Sequence, residues 1–168
     1  QHAASGKGVV ILTSHLGNSD MCRALINSVP GIHINVLLFT RNAESINRTL
    51  QRVNPGAAME IIQIGDVGPD TAIRLHEKVQ RGEWIVIAAD RTSPTAMHRV
   101  TRVNFLGSPA PFPQGPFILA ALLECPVYLL FALQQRETPD RHYDLYLELF
   151  TEQLLLPRRQ RDALLVHT

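Results

Sequence analysis

A histidine and an aspartate stand five residues apart, directly after an apolar run. The run is VVILTS at 9–14, and the stretch TSHLGNSD that overlaps its end contains His15 and Asp20. If Asp20 lies in the first turn of a following helix, its carboxylate can hold the Nδ1 proton of His15 while Nε2 faces a cleft. Such an imidazole is a general base. The spacing equally fits a structural interpretation, in which His15 bonds a loop carbonyl and Asp20 complements the helix N-terminus.

Strands and helices must alternate along the chain to position these two residues. Apolar stretches of strand length predict strands at 9–14, 34–40, 60–64, 84–89, 126–134 and 142–150. Helical periodicity predicts helices at 18–29, 43–53, within 68–82 (with Asp70 as cap and Gly82 at the end) and at 116–124. The proline-containing stretch 90–116 predicts a long functional loop with a short hairpin. The alternation predicts an α/β domain with a mostly parallel central sheet covered by helices on both faces, the last strand being an antiparallel edge strand.

Composition is that of a single globular domain spanning 1–168. Hydrophobic residues make up 45% and charged residues 18% of the chain, with a formal net charge of +1. No block of like charges marks a nucleic-acid-binding tail, and Cys22 and Cys125 lack the spacing of a metal site or a disulfide framework. We therefore expect no nucleic acid and no metal. Because the chain begins QHAASGKG without Met, we expect a piece of a longer protein.

Three polar residues fall where ligands bind to such a sheet, outside the carboxyl ends of the strands: His15, Arg41 and Asp90. Arg41 is the best candidate to bind an anionic group, because a guanidinium group can donate two parallel hydrogen bonds to a phosphate. It can equally pair with Glu44 at the surface. Asp90 can bind a hydroxyl of a ligand, hold Arg41, or cap the turn that follows. More than one interpretation therefore stays open for each of these side chains.

Four blocks in order resemble the lysophospholipid acyltransferase superfamily, in particular its lipid A biosynthesis (lauroyl/myristoyl-type) branch. They are ILTSHLGNSD, FTRNAESINRTL, VIAADRTSP and VNFLGSPAPFPQGPFILAALLECPVYLLFAL. The resemblance covers about 8–134 and implies a glycerolipid acyltransferase-like fold. It makes His15 the base and Asp20 the acid that orients it. The positions that it assigns to substrate binding are Arg41, Asn47 (or Asn42), Asp90, Arg91, Phe105, Gly107 and Gly115.

The activity implied is transfer of a fatty acyl group from a thioester, on acyl carrier protein or coenzyme A, to a hydroxyl of a lipid or glycolipid. No cofactor is expected, and the implied location is the cytoplasmic face of a bacterial inner membrane, with peripheral membrane contact. The basic side chains at 91–102 can meet an acidic carrier protein or anionic headgroups, or simply be solvated. Phe105, Leu106 and Phe112 are candidates to line an acyl groove.

Other functions remain as alternatives. A catalytically silent module of the same fold would bind an acyl lipid or a carrier protein, although it has no use for the pairing of His15 with Asp20. A nucleotide-binding enzyme is less favoured, because no G-x-G-x-x-G follows the first strand. A serine hydrolase is disfavoured because the chain has no G-x-S-x-G nucleophile elbow.

Overall fold

The computed structural model describes residues 6–18, 31–38, 43–53, 59–64, 68–92, 99–135 and 142–156. The strands within these ranges are β1 Val10–Gly17, β2 Ile34–Leu38, β3 Met59–Gln63, β4 Trp84–Ala88, β5 Val100–Phe105, β6 Ser108–Pro113, β7 Val127–Gln134 and β8 Tyr143–Thr151. The helices are α1 Ala43–Val53, α2 Pro69–Gln80 and α3 Gly115–Leu123. The helix predicted at 18–29 lies almost wholly outside the described residues.

Six of the strands form one mixed sheet in the order β3-β2-β4-β1-β7-β8. Every neighbouring pair is parallel except β7 and β8, which are antiparallel. The near-continuous apolar sequence of the inner strands has a simple cause, since a parallel strand is buried on both faces. The predicted α/β class, the mostly parallel sheet and the antiparallel edge strand are confirmed.

Both faces of the sheet carry buried apolar side chains. Alternation along β1 sends Val10 and Leu12 into one cluster and Ile11 into the other. Leu75 of α2 and Leu119 of α3 pack into the first cluster. Among the described residues no helical side chain belongs to the second cluster, so the predicted cover of helices on both faces is not confirmed.

The start of α2 differs from the prediction. The N-cap residue is Gly68, and no side chain caps the helix, so the prediction that Asp70 caps it is wrong. Pro69 accounts for the start instead. A proline at the first helical position has a φ that fits the helix, and its missing N–H costs nothing because an N–H at this position has no partner within the helix. The predicted end at Gly82 is confirmed, since this glycine follows Arg81 with a φ of 82°.

A charged cluster joins α2 to the amino end of β4. The Glu83 carboxylate accepts hydrogen bonds from Asn35 Nδ2 at 2.9 Å, Arg81 Nε at 2.9 Å and Lys78 Nζ at 3.2 Å. Burial raises the pKa of Glu83, but these donors outweigh burial and bring the pKa below its ordinary value. The cluster is thus a structural anchor at the edge of the sheet opposite to the carboxyl ends of the parallel strands.

Strands β5 and β6 form a separate antiparallel hairpin, as predicted for the 90–116 loop. Its two turn residues, Leu106 and Gly107, have φ values of 52° and 84°, as in a type I′ turn. Pro109, Pro111 and Pro113 alternate along β6. A proline fits such a ladder only where its nitrogen faces away from the partner strand. The outer edge of β6 therefore lacks N–H donors at these positions, which opposes addition of a third strand.

Candidate functional site

The carboxyl end of β1 leaves regular pairing where His15 stands. Thr13 pairs with Leu130 of β7 and Gly17 pairs with Ala132, so four residues of β1 advance against two of β7. The Thr13 hydroxyl donates to the Leu130 carbonyl at 2.9 Å, which holds the strand at the start of the irregularity. Extra residues in one strand bend it and re-aim its side chains. The bulge therefore takes His15 out of the regular ladder between β1 and β7.

A glycine closes the bulge. Gly17 has a φ of 80°, and a Cβ at this position would overlap the carbonyl oxygen of Ala132. That same oxygen accepts a hydrogen bond from the N–H of Asn18 at 2.9 Å. Both the backbone conformation and the close approach require glycine here. Gly17 thus determines where β1 resumes pairing with β7 after His15.

Asp90 holds His15 through two groups. The backbone N–H of His15 donates to Asp90 Oδ2 at 2.7 Å, and His15 Nδ1 lies 2.9 Å from Asp90 Oδ1. The register explains the meeting: β1 and β4 are parallel neighbours with Thr13 beside Ala88, so the residues two positions further on lie side by side. Because Nδ1 faces the carboxylate, Nε2 is the ring nitrogen that can exchange a proton with a ligand.

The electrostatics of the pair favour an ionised Asp90. Partial burial raises the pKa of the Asp90 carboxyl, but the hydrogen bonds from the backbone and the side chain of His15 outweigh it, and the pKa lies below its ordinary value. The side chains of His15 and Asp90 keep 45% and 27% of their surface exposed. The imidazole is therefore both oriented by a carboxylate and accessible to a ligand.

An apolar groove of about 750 Å³ lies beside this pair, a volume within the range of small-molecule sites. Its polar lining residues are Thr13, Ser14, His15 and Asp90. Its aromatic lining residues are Phe105, Phe112, Phe117, Phe131 and Phe150. The sheet, α3 and the hairpin all contribute to it. The arrangement places an oriented imidazole at the border of a cavity that suits an extended apolar ligand.

One face of the hairpin covers the groove. Phe105, Ala110 and Phe112 line it from β5 and β6, and the two phenylalanine rings meet edge to face with centroids 5.6 Å apart. Arg102 and Asn104 alternate with them on β5 and are exposed. Phe105 therefore lies on the inner face of the hairpin, toward the groove, and Arg102 and Asn104 lie on its outer face.

The predicted lining of the groove is confirmed for Phe105 and Phe112, whereas Leu106 lies at the exposed turn and is not among the lining residues. Sequence reasoning missed Phe131 and Phe150. The alternation of Leu129 and Phe131 along β7 was an available signal, because alternate residues share one face of a strand.

Two predicted site residues, Asp20 and Arg41, lie outside the described residues, as does Asn42. The pairing predicted between Asp20 and Nδ1 of His15 is therefore not observed, and Nδ1 faces Asp90. Sequence reasoning missed this partnership, because only the neighbourhood of β1 and β4 signals it.

Asn47 joins α1 to β3. Its Nδ2 donates to the Ile61 carbonyl at 2.7 Å, and its Oδ1 accepts from the Ile61 N–H at 2.8 Å. Both polar atoms of the amide are thus engaged with one backbone residue, and its role in substrate binding stays a prediction. Arg91 is exposed directly after Asp90, Gly107 lies in the hairpin turn and Gly115 begins α3.

Metal-binding clusters and membrane-spanning helices are both absent from the described ranges. No group of three or more His, Cys, Asp or Glu side chains in these ranges is arranged to hold a metal ion. No helix in the same ranges is both long enough and apolar enough to cross a membrane. No family model matches the chain, and a search of the curated proteins returns no match either.

Proposed function

We propose that the protein is an O-acyltransferase that moves a fatty acyl group from acyl carrier protein or coenzyme A to a hydroxyl of a lipid or glycolipid. The observation that carries the proposal is the pairing of His15 with Asp90 beside an apolar groove. A fatty acyl chain needs an apolar cavity, and a hydroxyl needs a base before it can attack a thioester. The two requirements meet in one site.

In the proposed reaction, His15 Nε2 takes the proton of the acceptor hydroxyl as its oxygen attacks the thioester carbonyl. The Asp90 carboxylate stabilises the imidazolium that forms. The tetrahedral intermediate then expels the sulfur, the carbon–sulfur bond breaks, and the imidazolium returns a proton to the leaving thiolate. The products are the ester and the free thiol, with no covalent acyl-enzyme.

The resemblance to the lysophospholipid acyltransferase superfamily supports the same reaction and adds finer proposals. These are a glycerolipid acyltransferase-like fold with helices on both faces, a bacterial origin, and a place at the cytoplasmic face of the inner membrane. Arg41 and Arg91 would bind anionic groups of the donor or acceptor. Asp90, rather than Asp20 alone, would orient the base, because its carboxylate lies within hydrogen-bond distance of His15 Nδ1.

A catalytically silent acyl-lipid or carrier-binding module would use the same groove. Binding an apolar chain requires no oriented imidazole. The accessible pair of His15 and Asp90 therefore favours the enzyme.

Transfer from radiolabelled acyl carrier protein and acyl coenzyme A into a bacterial lipid extract tests the proposal. Labelled lipid is expected with the wild-type protein and the His33→Ala control, which removes an exposed imidazole elsewhere, and is expected to disappear with His15→Ala. Equal transfer by His15→Ala would refute the role of His15. A folded protein that binds the donor and transfers nothing would favour the silent module.

A further inference from the structure

The turn of the hairpin presents an apolar side chain to water. Leu106 is 90% exposed and has a φ of 52°, a backbone conformation that asparagine or glycine adopts far more readily than leucine. Leucine at this position therefore gives the fold neither burial nor a favourable turn. Contact with a molecule outside the folded domain would account for a leucine here.

The apolar surface continues from the turn to the groove. Phe105, the neighbour of Leu106, is 52% exposed and also lines the groove. A single apolar surface therefore runs from the tip of the hairpin to the cavity beside His15.

The charged side chains within the chain segment that contains the hairpin have one sign. The stretch 91–123 contains no aspartate or glutamate, while Arg91, Arg99 and Arg102 in it are exposed. Arg102 lies on the outer face of β5, four residues before the turn. An apolar tip with cationic side chains set back from it matches the layering of a membrane, in which anionic headgroups lie outside the acyl chains.

We propose that Leu106 and the exposed edge of Phe105 insert into the surface of an anionic lipid bilayer, with Arg102 contacting headgroup phosphates. A fluid bilayer receives a protruding turn without a matching pocket, whereas a folded carrier protein would have to offer one. This inference deepens the proposed function, because it names the element through which a membrane presents a lipid acceptor to the groove.

Cosedimentation with vesicles of equal parts phosphatidylglycerol and phosphatidylcholine tests the inference. Leu106→Asn is the decisive variant, because asparagine before Gly107 suits the positive φ values and preserves the turn. We expect it to weaken vesicle binding roughly tenfold or more. Leu155→Asn, which changes another leucine that is 68% exposed, is the matched control and is expected to bind like wild type. Arg102→Gln should weaken binding to these vesicles but not to pure phosphatidylcholine.

Wild-type binding by Leu106→Asn would overturn the inference. So would binding of the wild-type protein to acyl carrier protein but not to vesicles. Transfer separates this inference from the proposed function: Leu106→Asn should lose transfer to acceptor in vesicles and keep transfer to acceptor dispersed in detergent. Vesicle binding that depends on Leu106, in a protein that transfers no acyl group, would refute the proposed function alone.

Discussion

The carboxylate of Asp90 holds both the backbone N–H and the imidazole Nδ1 of His15, at 2.7 Å and 2.9 Å. One side chain thereby orients both the backbone and the ring of His15. The contact exists because β1 and β4 are parallel neighbours in a register that brings their ends level. It ties a candidate base to a residue 75 positions away in the chain.

Asp90→Asn is expected to reduce acyl transfer roughly 10²- to 10⁴-fold, because an amide can keep the backbone contact but cannot stabilise an imidazolium. Steady-state rates with saturating donor measure the effect, and thermal unfolding checks that the fold persists. Asp20→Asn is the companion variant. Full activity in Asp90→Asn together with a large loss in Asp20→Asn would return the acid role to Asp20.

Gly17→Ala is expected to destabilise the protein by about 3 kcal/mol, because it combines an unfavourable φ with overlap of the Ala132 carbonyl. Urea unfolding gives the change in free energy. Gly107→Ala is the matched control: its φ of 84° is similar, but a Cβ there meets nothing within 4 Å. This variant should cost only about 1 kcal/mol. Equal losses would mean that the contact with Ala132 is unimportant.

Ala110→Phe is expected to fill the groove from the hairpin and to weaken binding of a fluorescent long-chain acyl analogue at least tenfold, which corresponds to about 1.4 kcal/mol. Asn104→Phe adds the same ring to the outer face of the hairpin and should leave binding unchanged. Fluorescence titration compares the two. Unchanged affinity in Ala110→Phe would place the acyl chain elsewhere.

Asn47→Ala is expected to lower the free energy of unfolding by about 2 kcal/mol, because it leaves the N–H and carbonyl of Ile61 without their amide partner. The exposed Asn104→Ala variant should change stability little. If Asn47 instead binds substrate, as the resemblance predicts, Asn47→Ala will raise KM while stability stays near wild type.

The lowered pKa of Glu83 predicts that the folded protein loses stability in acid. The carboxyl of Glu83 has a lowered pKa in the folded protein, so its contribution is fully present above the unfolded value of about 4.3 and disappears as the pH falls through the lower folded value. Glu83→Gln should therefore cost about 1–3 kcal/mol at neutral pH and progressively less below pH ~4. Thermal unfolding against pH measures this, with the exposed Glu77→Gln as control. A difference that persists at low pH would contradict the ionic role.

Local pattern was enough to predict the strands and helices of the described residues, although not all of their bounds and caps. The apolar run at 84–89 predicts a strand, and β4 forms there over Trp84–Ala88 with both faces buried. The stretch after Asp90 predicts a loop with a hairpin, because proline fixes φ and glycine permits the positive φ that a tight turn needs. The candidate base His15 was also identified from its place at the end of an apolar run. These features depend only on residues that are close in sequence.

The partner of the base was decided by the tertiary structure. Hydrophobic periodicity identifies a strand but carries no information about which strand lies beside it, and the order β4-β1-β7 is what places Asp90 against His15. The bulge depends equally on β7, because only pairing with Leu130 and Ala132 shows that β1 carries extra residues. Strand order and register follow from packing of the whole sheet, so residues far apart in sequence meet in a way that no local pattern encodes.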